Sequence, residues 1–334
     1  MQGFIGNNAA TALLRHTLSA GRRAHAYLLT GPRQIGKRTL AKLAGATLVC
    51  EAAVSERPCG ACRACGLVER DSHPDVRLTE TLEGRRGIGI EQIRQLEHQA
   101  ALRPYESDRK ALILTDADAM SDDAANALLK TLEEPPEDTV LFLTAADASQ
   151  VLPTIASRCQ EVPLRPVPAE EIEAALLARG TSGDRAQLLA RLAGGRPGWA
   201  LAAAEDGGVL EARRKQLDQL EALLDRPPAE RLAAAASFAD SATGRSSARA
   251  ALDTWQTWWR DALLVKEGCP ELVVNVDRLE ALERLHVPSP ECWRAVRRVQ
   301  EAREQLDANA NVRLAMEGLL LDLPGPRGEV GAVR

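Results

Sequence analysis

The sequence has few aromatic residues, no long apolar run and no excess of basic charge, and each shortage excludes a class of protein. Phe, Trp and Tyr make up only 3% of the 334 residues, so aliphatic side chains, chiefly Leu, Ala and Val, are expected to fill the cores. No run of roughly eighteen apolar residues occurs, which excludes an ordinary membrane-spanning helix. The net charge of -5 and the pI near 5.7 argue against a chain that coats nucleic acid through bulk positive charge.

The seven cysteines divide into a cluster and three scattered positions. The first ten residues lack the basic start and apolar run of a signal peptide, so a cytoplasmic protein is expected, in which clustered thiols indicate a metal site rather than disulfides. Four thiolates complete the tetrahedral coordination of Zn²⁺, which predicts a structural site. An iron–sulfur cluster also uses four thiolates, and the spacing alone leaves it open. The four candidate ligands are Cys50, Cys59, Cys62 and Cys65.

The first half of the chain alternates short β-rich runs with helical patterns, which is typical of a parallel sheet covered by helices on both faces. Strands are expected at 26–30, 75–79, 110–115, 140–145 and 160–164, and helices at 37–50, 90–102 and 122–134. Beyond residue 166 the pattern predicts helices, apart from a weak β run at 271–274. These changes divide the chain into an α/β domain at 1–166, a small three-helix domain at 167–206, a larger all-helical domain at 207–323 and a disordered tail at 324–334.

A glycine-rich loop follows the first expected strand and precedes a helix, which is the setting of a phosphate-binding loop. Its residues 31–38 read Gly-Pro-Arg-Gln-Ile-Gly-Lys-Arg. In such loops the backbone N–H groups surround the phosphates, the lysine reaches the outer oxygens, and the next Ser or Thr binds Mg²⁺. Arg38 stands at that last position, and Thr39 is turned by about 100° around the helix. The candidate nucleotide-binding residues are Gly31, Gly36, Lys37 and Thr39.

A second magnesium contact is also missing from the sequence. Thr115 ends the strand expected at 110–115, where an acid that holds Mg²⁺ usually stands. Asp116 comes one residue later, and because successive strand residues point to opposite faces, we expect it to face away from the loop. Binding of ATP or ADP therefore stays open, whereas independent ATP hydrolysis is not expected.

Two long motifs carry a resemblance to a known family. They are Asn126-Ala-Leu-Leu-Lys-Thr-Leu-Glu-Glu-Pro-Pro136 and Leu152-Pro-Thr-Ile-Ala-Ser-Arg-Cys159. Together with the four-cysteine insertion they resemble the AAA+ subunits of the bacterial DNA polymerase III clamp loader. The segment 309–317 is similar to the last collar helix of that family, so the resemblance covers nearly the whole chain. It implies a RecA-like α/β domain with a zinc module inserted at about 50–65, a small helical lid and a helical collar through which subunits assemble.

The resemblance also implies a role within that assembly. Motor subunits of the family keep intact magnesium-binding motifs, whereas the delta-prime type has degenerate ones, which Arg38 and Thr115 fit. Such a subunit is a non-hydrolysing member of the pentameric ring that loads the sliding clamp onto primed DNA, and it is part of the polymerase holoenzyme. Its partners are the tau/gamma motor subunits and the delta subunit. Arg158 matches the arginine finger that acts on the ATP of a neighbour, and Thr144 and Arg196 match the two sensor positions.

Two other functions stay open on the residues alone. One is an ATP-hydrolysing motor subunit of the tau/gamma type, and the other is a stand-alone zinc-containing DNA-binding protein, against which the acidic pI argues. Trp255, Trp258 and Trp259 share one helical face. Because Arg260 is the one basic residue beside them, packing between helices is a better interpretation of this face than base stacking.

Overall fold

The computed structural model describes residues 3–19, 23–82, 87–238 and 244–325. The chain divides into two compact units, one formed by Met1–Thr181 and Ala193–Leu201 and the other by Ser182–Leu192 and Ala202–Arg334. Within the described ranges no helix is long and apolar enough to cross a membrane. The predicted disordered tail lies outside the described residues from position 326 onward.

The first unit contains a five-stranded parallel sheet with the order β2-β3-β4-β1-β5. Its strands are β1 (Ala26–Thr30), β2 (Val76–Thr79), β3 (Lys110–Leu114), β4 (Thr139–Ala145) and β5 (Gln160–Pro163). Every residue of β1, β3 and β4 is buried, because central strands of a parallel sheet are covered on both faces. The predicted fold class is confirmed, and each strand lies within one residue of its predicted bounds.

Seven α-helices of the described chain up to residue 181 precede, connect or follow these strands. They are α1 (Asn8–Ser19), α2 (Lys37–Val49), α3 (Arg63–Glu69), α4 (Ile90–Ala101), α5 (Asp122–Glu133), α6 (Pro153–Ala156) and α7 (Ala169–Leu177), with short 3₁₀ turns at Val54–Glu56, Ala117–Ala119 and Ala148–Gln150. Ser121 caps α5 by accepting the N–H of Ala124 at 3.3 Å, as an N-cap serine does. The sequence pattern predicts α2, α4, α5 and α7 but not α1, α3 or α6.

The remaining helices extend to the end of the described chain. They are α8 (Gly183–Leu192), α9 (Pro197–Glu205), α10 (Gly208–Leu224), α11 (Pro228–Ser237), α12 (Gly244–Lys266), α13 (Leu279–Arg284), α14 (Ser289–Asp307) and α15 (Val312–Asp322), with 3₁₀ turns at Pro270–Leu272 and Val276–Arg278. The predicted β run at 271–274 is wrong. Its apolar character reflects the burial of Val273, which is 1% exposed in the helical core.

The two units have cores of different composition. The sheet packs mainly against Leu, Ile, Ala and Val side chains, as the shortage of aromatics predicts, and it also contains the stacked buried rings of Tyr27 and Phe142. The helical core instead surrounds Trp255, Trp258 and Trp259, which are at most 1% exposed. Trp258 and Trp259 meet edge to face with ring centroids 4.9 Å apart, a favoured geometry for aromatic pairs. The packing interpretation of these tryptophans is confirmed, because no ring face is open to a nucleic-acid base.

A buried arginine ties two helix ends together in the helical unit. Arg231 of α11 is 3% exposed, and each of its five N–H donors meets a backbone carbonyl oxygen. The acceptors, at 2.7–3.3 Å, belong to Leu224, Arg226, Leu320, Leu323 and Pro324. Because α10 ends at Leu224 and α15 at Asp322, the guanidinium pairs with carbonyls that have no partner within their helix and lies at the negative ends of two helix dipoles. Burial lowers the pKa of Arg231.

Candidate functional site

The loop between β1 and α2 has the shape of a phosphate cradle. Gly31 and Gly36 have φ angles of 144° and 108°, which side-chain-bearing residues rarely adopt. A Cβ atom at Gly31 would also lie 2.6 Å from the carbonyl oxygen of Leu164. Because α2 begins at Lys37 directly after Gly36, the N–H groups of its first turn have no intrahelical acceptor and can bind an anion.

Lys37 is folded back onto this loop. Its Nζ donates to the carbonyl oxygens of Gly31 at 2.5 Å and Pro32 at 3.0 Å, and the residue is 8% exposed. Burial lowers the pKa of Lys37, although the nearby carboxylates of Asp116 and Asp118 oppose the shift. A phosphate that bound here would have to draw the ammonium group away from the two carbonyls.

A cleft of about 560 Å³ opens beside the loop. The residues that matter for nucleotide chemistry along its walls are Gly36, Lys37, Arg38, Thr39, Thr115, Asp116 and Thr144. Gly31, at the start of the loop, is not among the lining residues described, and neither is Arg196. The Nε of Arg196 donates to the carbonyl oxygen of Ala193 at 2.7 Å, and its guanidinium lies 5.9 Å from the centre of the Trp199 ring. The structure therefore brings most of the predicted nucleotide-binding residues together but leaves Arg196 apart.

The position of the usual magnesium-binding hydroxyl is occupied by an ion-paired side chain. Arg38 Nε lies 2.9 Å from Glu80 Oε1, and Arg38 Nη2 lies 3.3 Å from Asp71 Oδ2. A guanidinium has donors and no acceptor, so it cannot coordinate a metal ion. Thr39 lines the cleft as well, so the rotation of about 100° along the helix does not remove it from the site.

The prediction that Asp116 faces away from the loop is wrong. Strand β3 ends at Leu114, and Asp116 has a left-handed backbone with φ of 49°, so the alternation of a strand no longer applies to it. Its N–H donates to Thr144 Oγ1 at 3.1 Å, and both Thr115 and Asp116 line the cleft. A carboxylate is therefore present near Lys37, contrary to the expectation from strand alternation.

The four clustered cysteines form a second candidate site. Their sulfur atoms all lie within 4.8 Å of one another, and Cys50 Sγ lies 3.9 Å from Cys62 Sγ. Sulfurs at about 2.3 Å from a tetrahedral Zn²⁺ are separated by about 3.8 Å, so the cluster can hold a metal ion. The ligands come from the end of α2, the loop that follows it and the first turn of α3.

Backbone N–H groups point at the sulfurs of this cluster. The Cys59 N–H donates to Cys50 Sγ at 3.4 Å, and the Cys62 N–H donates to Cys59 Sγ at 3.3 Å. Hydrogen bonds from Ala61 and Cys62 lower the pKa of the Cys59 thiol to about 6, whereas burial raises that of Cys65 to about 12. Such donors stabilise the thiolate form that binds metal, and an all-sulfur donor set favours Zn²⁺ over hard cations.

The loop before β3 is fixed to the cysteine module through a buried acid. Asp75, 1% exposed, accepts the N–H groups of Tyr105, Glu106 and Ser107 at 2.5–2.9 Å. Burial alone would raise the pKa of Asp75, but these three donors lower it below its ordinary value. Glu106 in turn pairs with Arg63 of α3 at 3.1 Å. The Asp75 carboxylate therefore holds the loop whose Glu106 contacts the cysteine module.

Arg158 lies at the surface just after α6. Its Nη1 donates to the carbonyl oxygen of Thr154 at 2.8 Å, and its Nη2 donates to Glu133 Oε1 at 2.7 Å. The side chain is 36% exposed. An arginine has five N–H donors, so the two contacts leave others that can meet a group outside this chain. The sequence did not identify Glu133 as a partner of Arg158.

The three thiols outside the cluster have different surroundings. Burial raises the pKa of Cys159 to about 12 and that of Cys292 to about 11, and Cys292 Sγ donates to the carbonyl oxygen of Val287 at 3.7 Å. Cys269 is partly exposed in the turn after α12. None of these three lies in the group of cysteines that can hold a metal ion.

Two family profiles match this sequence. The profile described as "DNA polymerase III, delta subunit" matches residues 6–168, and that described as "DNA polymerase III, delta subunit, C terminal" matches residues 208–324. Together they cover most of the chain.

Individual proteins give the same result. DNA polymerase III subunit delta' of Bacillus subtilis is 30% identical over 315 residues, which cover 93% of this chain and 94% of that protein. The delta' subunit of Pseudomonas aeruginosa is 41% identical over 177 residues, covering 52% of this chain and 54% of its own length. A DNA polymerase III gamma subunit-related structure from Thermotoga maritima superposes with a TM-score of 0.53 at 20% identity, covering 93% of this chain and 97% of that one. That structure supports the fold alone.

Proposed function

This chain belongs to the DNA polymerase III delta' family of clamp-loader subunits, and from that premise we propose that it is a non-hydrolysing member of the ring. In this role it holds the ring geometry and supplies Arg158 in trans to ATP bound by a neighbouring motor subunit. Its partners are tau/gamma motor subunits and a delta subunit, and through the ring it acts with the sliding clamp and primed DNA in the cytoplasm. The segments 167–206 and 207–323 serve as its lid and collar.

The observation that carries this proposal is the contrast between the chain's own cleft and its exposed arginine. In the cleft, Arg38 stands at the magnesium position and is held by two carboxylates, and the Lys37 ammonium group donates to two loop carbonyls instead of pointing into the cleft. At the surface, Arg158 keeps N–H donors that no described residue of this chain uses. The chain therefore lacks the usual magnesium-binding hydroxyl in its own cleft, whereas its exposed arginine has donors that can reach a nucleotide bound by another subunit.

The proposed chemistry of Arg158 is electrostatic. As the outer phosphoryl group of ATP is transferred to water, negative charge is redistributed over its oxygens, and catalysis requires that this charge be stabilised in the transition state. A guanidinium that enters the site from a neighbour supplies fixed positive charge and hydrogen-bond donors without covalent chemistry. Arginine fingers of this kind contribute on the order of 10³–10⁵ in rate at the site that they contact.

Substitution of the finger tests the proposal. In a reconstituted complex, Arg158→Ala is expected to leave assembly intact and to lower DNA-stimulated ATP turnover. The largest expected loss equals the ATP turnover that the neighbouring site contributes to the complex. Arg179→Ala, at an exposed position in the same unit, is the matched control and should retain the turnover of the unsubstituted complex. Equal turnover by the Arg158→Ala complex and the unsubstituted one would refute the proposal.

One observation favours a second function, that of an ATP-hydrolysing motor subunit. Asp116 and Thr39 both line the cleft, so a carboxylate and a hydroxyl are present near the positions where magnesium ligands are needed. The purified chain with ATP and Mg²⁺ separates the two functions. Steady turnover without partners would establish the motor function, whereas no turnover is expected for a delta'-type subunit.

We also propose that the cysteine cluster holds a structural Zn²⁺. Cys50, Cys59, Cys62 and Cys65 would bind it with no open coordination position, so the metal would stabilise the fold of the module rather than take part in a reaction. Metal analysis by native mass spectrometry tests this assignment, and the same measurement reports any ATP or ADP retained in the cleft. Iron with labile sulfide in place of zinc would refute it.

A further inference from the structure

The arginine that we assign as a finger is attached at two points to its own chain. One is the carbonyl oxygen of Thr154, in the same turn, and the other is the carboxylate of Glu133, the last residue of α5. The two anchors come from different elements, so together they define where the guanidinium lies relative to the sheet. A long arginine side chain without them would sample many rotamers.

The ion pair has little to do with folding. The Glu133 side chain is 53% exposed and that of Arg158 is 36% exposed, and ion pairs at such exposure contribute little to stability. Glu133 also stands at the carboxyl end of α5, where the helix dipole disfavours negative charge. The consequence of the contact is therefore the orientation of Arg158 rather than the stability of the unit.

Orientation is what a finger requires. A guanidinium assists phosphoryl transfer only if it is held at the position where the charge develops, and two of its five donors are enough to hold it while the others remain available. Resting on the function proposed above for Arg158, we propose that Glu133 is the positioning residue of the finger. It does not touch the nucleotide but fixes the guanidinium through the Nη2–Oε1 hydrogen bond.

Kinetics of the reconstituted clamp loader test this role. With saturating primed DNA, Glu133→Ala is expected to lower kcat for ATP at the neighbouring site by about 5- to 10-fold, since a small misplacement of a catalytic group reduces the rate steeply. The KM for ATP should stay within about twofold, because a change made only in the transition state leaves ground-state binding intact. Glu133→Gln keeps an oxygen that accepts the Nη2 hydrogen bond and is expected to restore most of the rate.

The matched control is Glu134→Ala, which removes an exposed carboxylate one residue further along and should leave kcat unchanged. In an Arg158→Ala background the Glu133→Ala change should have no further effect, because the group it positions is gone. The proposal is overturned if Glu133→Ala keeps full turnover while Arg158→Ala loses it, or if the Glu133 effect persists without Arg158. Full turnover by Arg158→Ala itself overturns the proposed function and this inference with it. Circular dichroism and gel filtration of the assembled complexes confirm that each variant folds and assembles.

Discussion

Replacement of Arg231 by Met is expected to destabilise the helical unit far more than an average substitution. Met has a similar length and keeps the apolar packing of the side chain, but it removes all five N–H donors. The carbonyl oxygens at the ends of α10 and α15 then lose the partner that joins them. Among the described residues no carboxylate forms an ion pair with Arg231, although Asp225 lies near enough to oppose the lowering of its pKa, so the effect reports mainly on the carbonyls.

The size of the effect follows from the number of acceptors. A buried acceptor left without a donor costs about 1–3 kcal/mol, so five acceptors give about 5–15 kcal/mol as an upper range. Removal of the charge returns several kcal/mol of desolvation cost, and the contacts to the carbonyls of Arg226 and Pro324 are only partly buried, so water can replace the lost donors there. We therefore expect Arg231→Met to lower the free energy of unfolding by about 3–5 kcal/mol, a loss that only a few kinds of substitution produce. Arg231→Lys keeps three donors and should lose about half as much.

Urea unfolding of the full chain, followed by tryptophan fluorescence, measures this loss. Trp255, Trp258 and Trp259 are buried in the same unit as Arg231, so their emission follows its unfolding. Arg284→Met is the matched control, because this side chain is 77% exposed and should change the free energy of unfolding by less than about 0.5 kcal/mol. A loss below about 1 kcal/mol for Arg231→Met would show that the five contacts do not hold the helix ends together.

Two further predictions concern the first unit. Removal of the metal by a chelator, or Cys59→Ser, is expected to lower the melting temperature markedly, because four-thiolate zinc sites contribute roughly 10 kcal/mol or more to folding; unaltered calorimetric melting after chelation would contradict the zinc assignment. Asp75→Asn is expected to cost about 1–3 kcal/mol at neutral pH, since its NH₂ group would face N–H donors. Because the pKa of Asp75 is lowered in the folded chain, its carboxylate stabilises the fold above the ordinary aspartate pKa. That contribution is lost as the pH falls through the folded value. Urea unfolding at several pH values should show a weaker acid dependence for the variant, and an identical dependence would count against this account.

The parts of the fold that the sequence predicts well are those with a strong local pattern. Strands β1, β3 and β4 are nearly continuous apolar runs, which is typical of buried parallel strands, and the spacing of Cys50, Cys59, Cys62 and Cys65 already indicates their shared site. The pattern of Asn8–Ser19 does not predict α1, because only three leucines stand among its alanines and polar residues, and the seven residues of α3 are too few to show a helical period.

The features that sequence reasoning missed depend on tertiary geometry. Asp116 enters the cleft because β3 ends two residues before it and the backbone turns left-handed, and no alternation rule describes that position. Glu133 reaches Arg158 across 25 positions of sequence. In the sequence, Arg231 is one of two charged residues in an alanine-rich helix, and nothing local indicates that two distant helix ends contact it. Local sequence periodicity carries no information on such long-range contacts.

The uneven surroundings of the seven thiols have a practical consequence for labelling this chain. Maleimides react with thiolates that solvent can reach. Once metal occupies the cluster its four sulfurs are coordinated, and Cys159 and Cys292 are held as thiols by burial. Cys269, in the turn after α12, is then the thiol best placed to react. A fluorophore can therefore be attached at one position of the unsubstituted protein, and loss of that selectivity would signal that the cluster has released its metal.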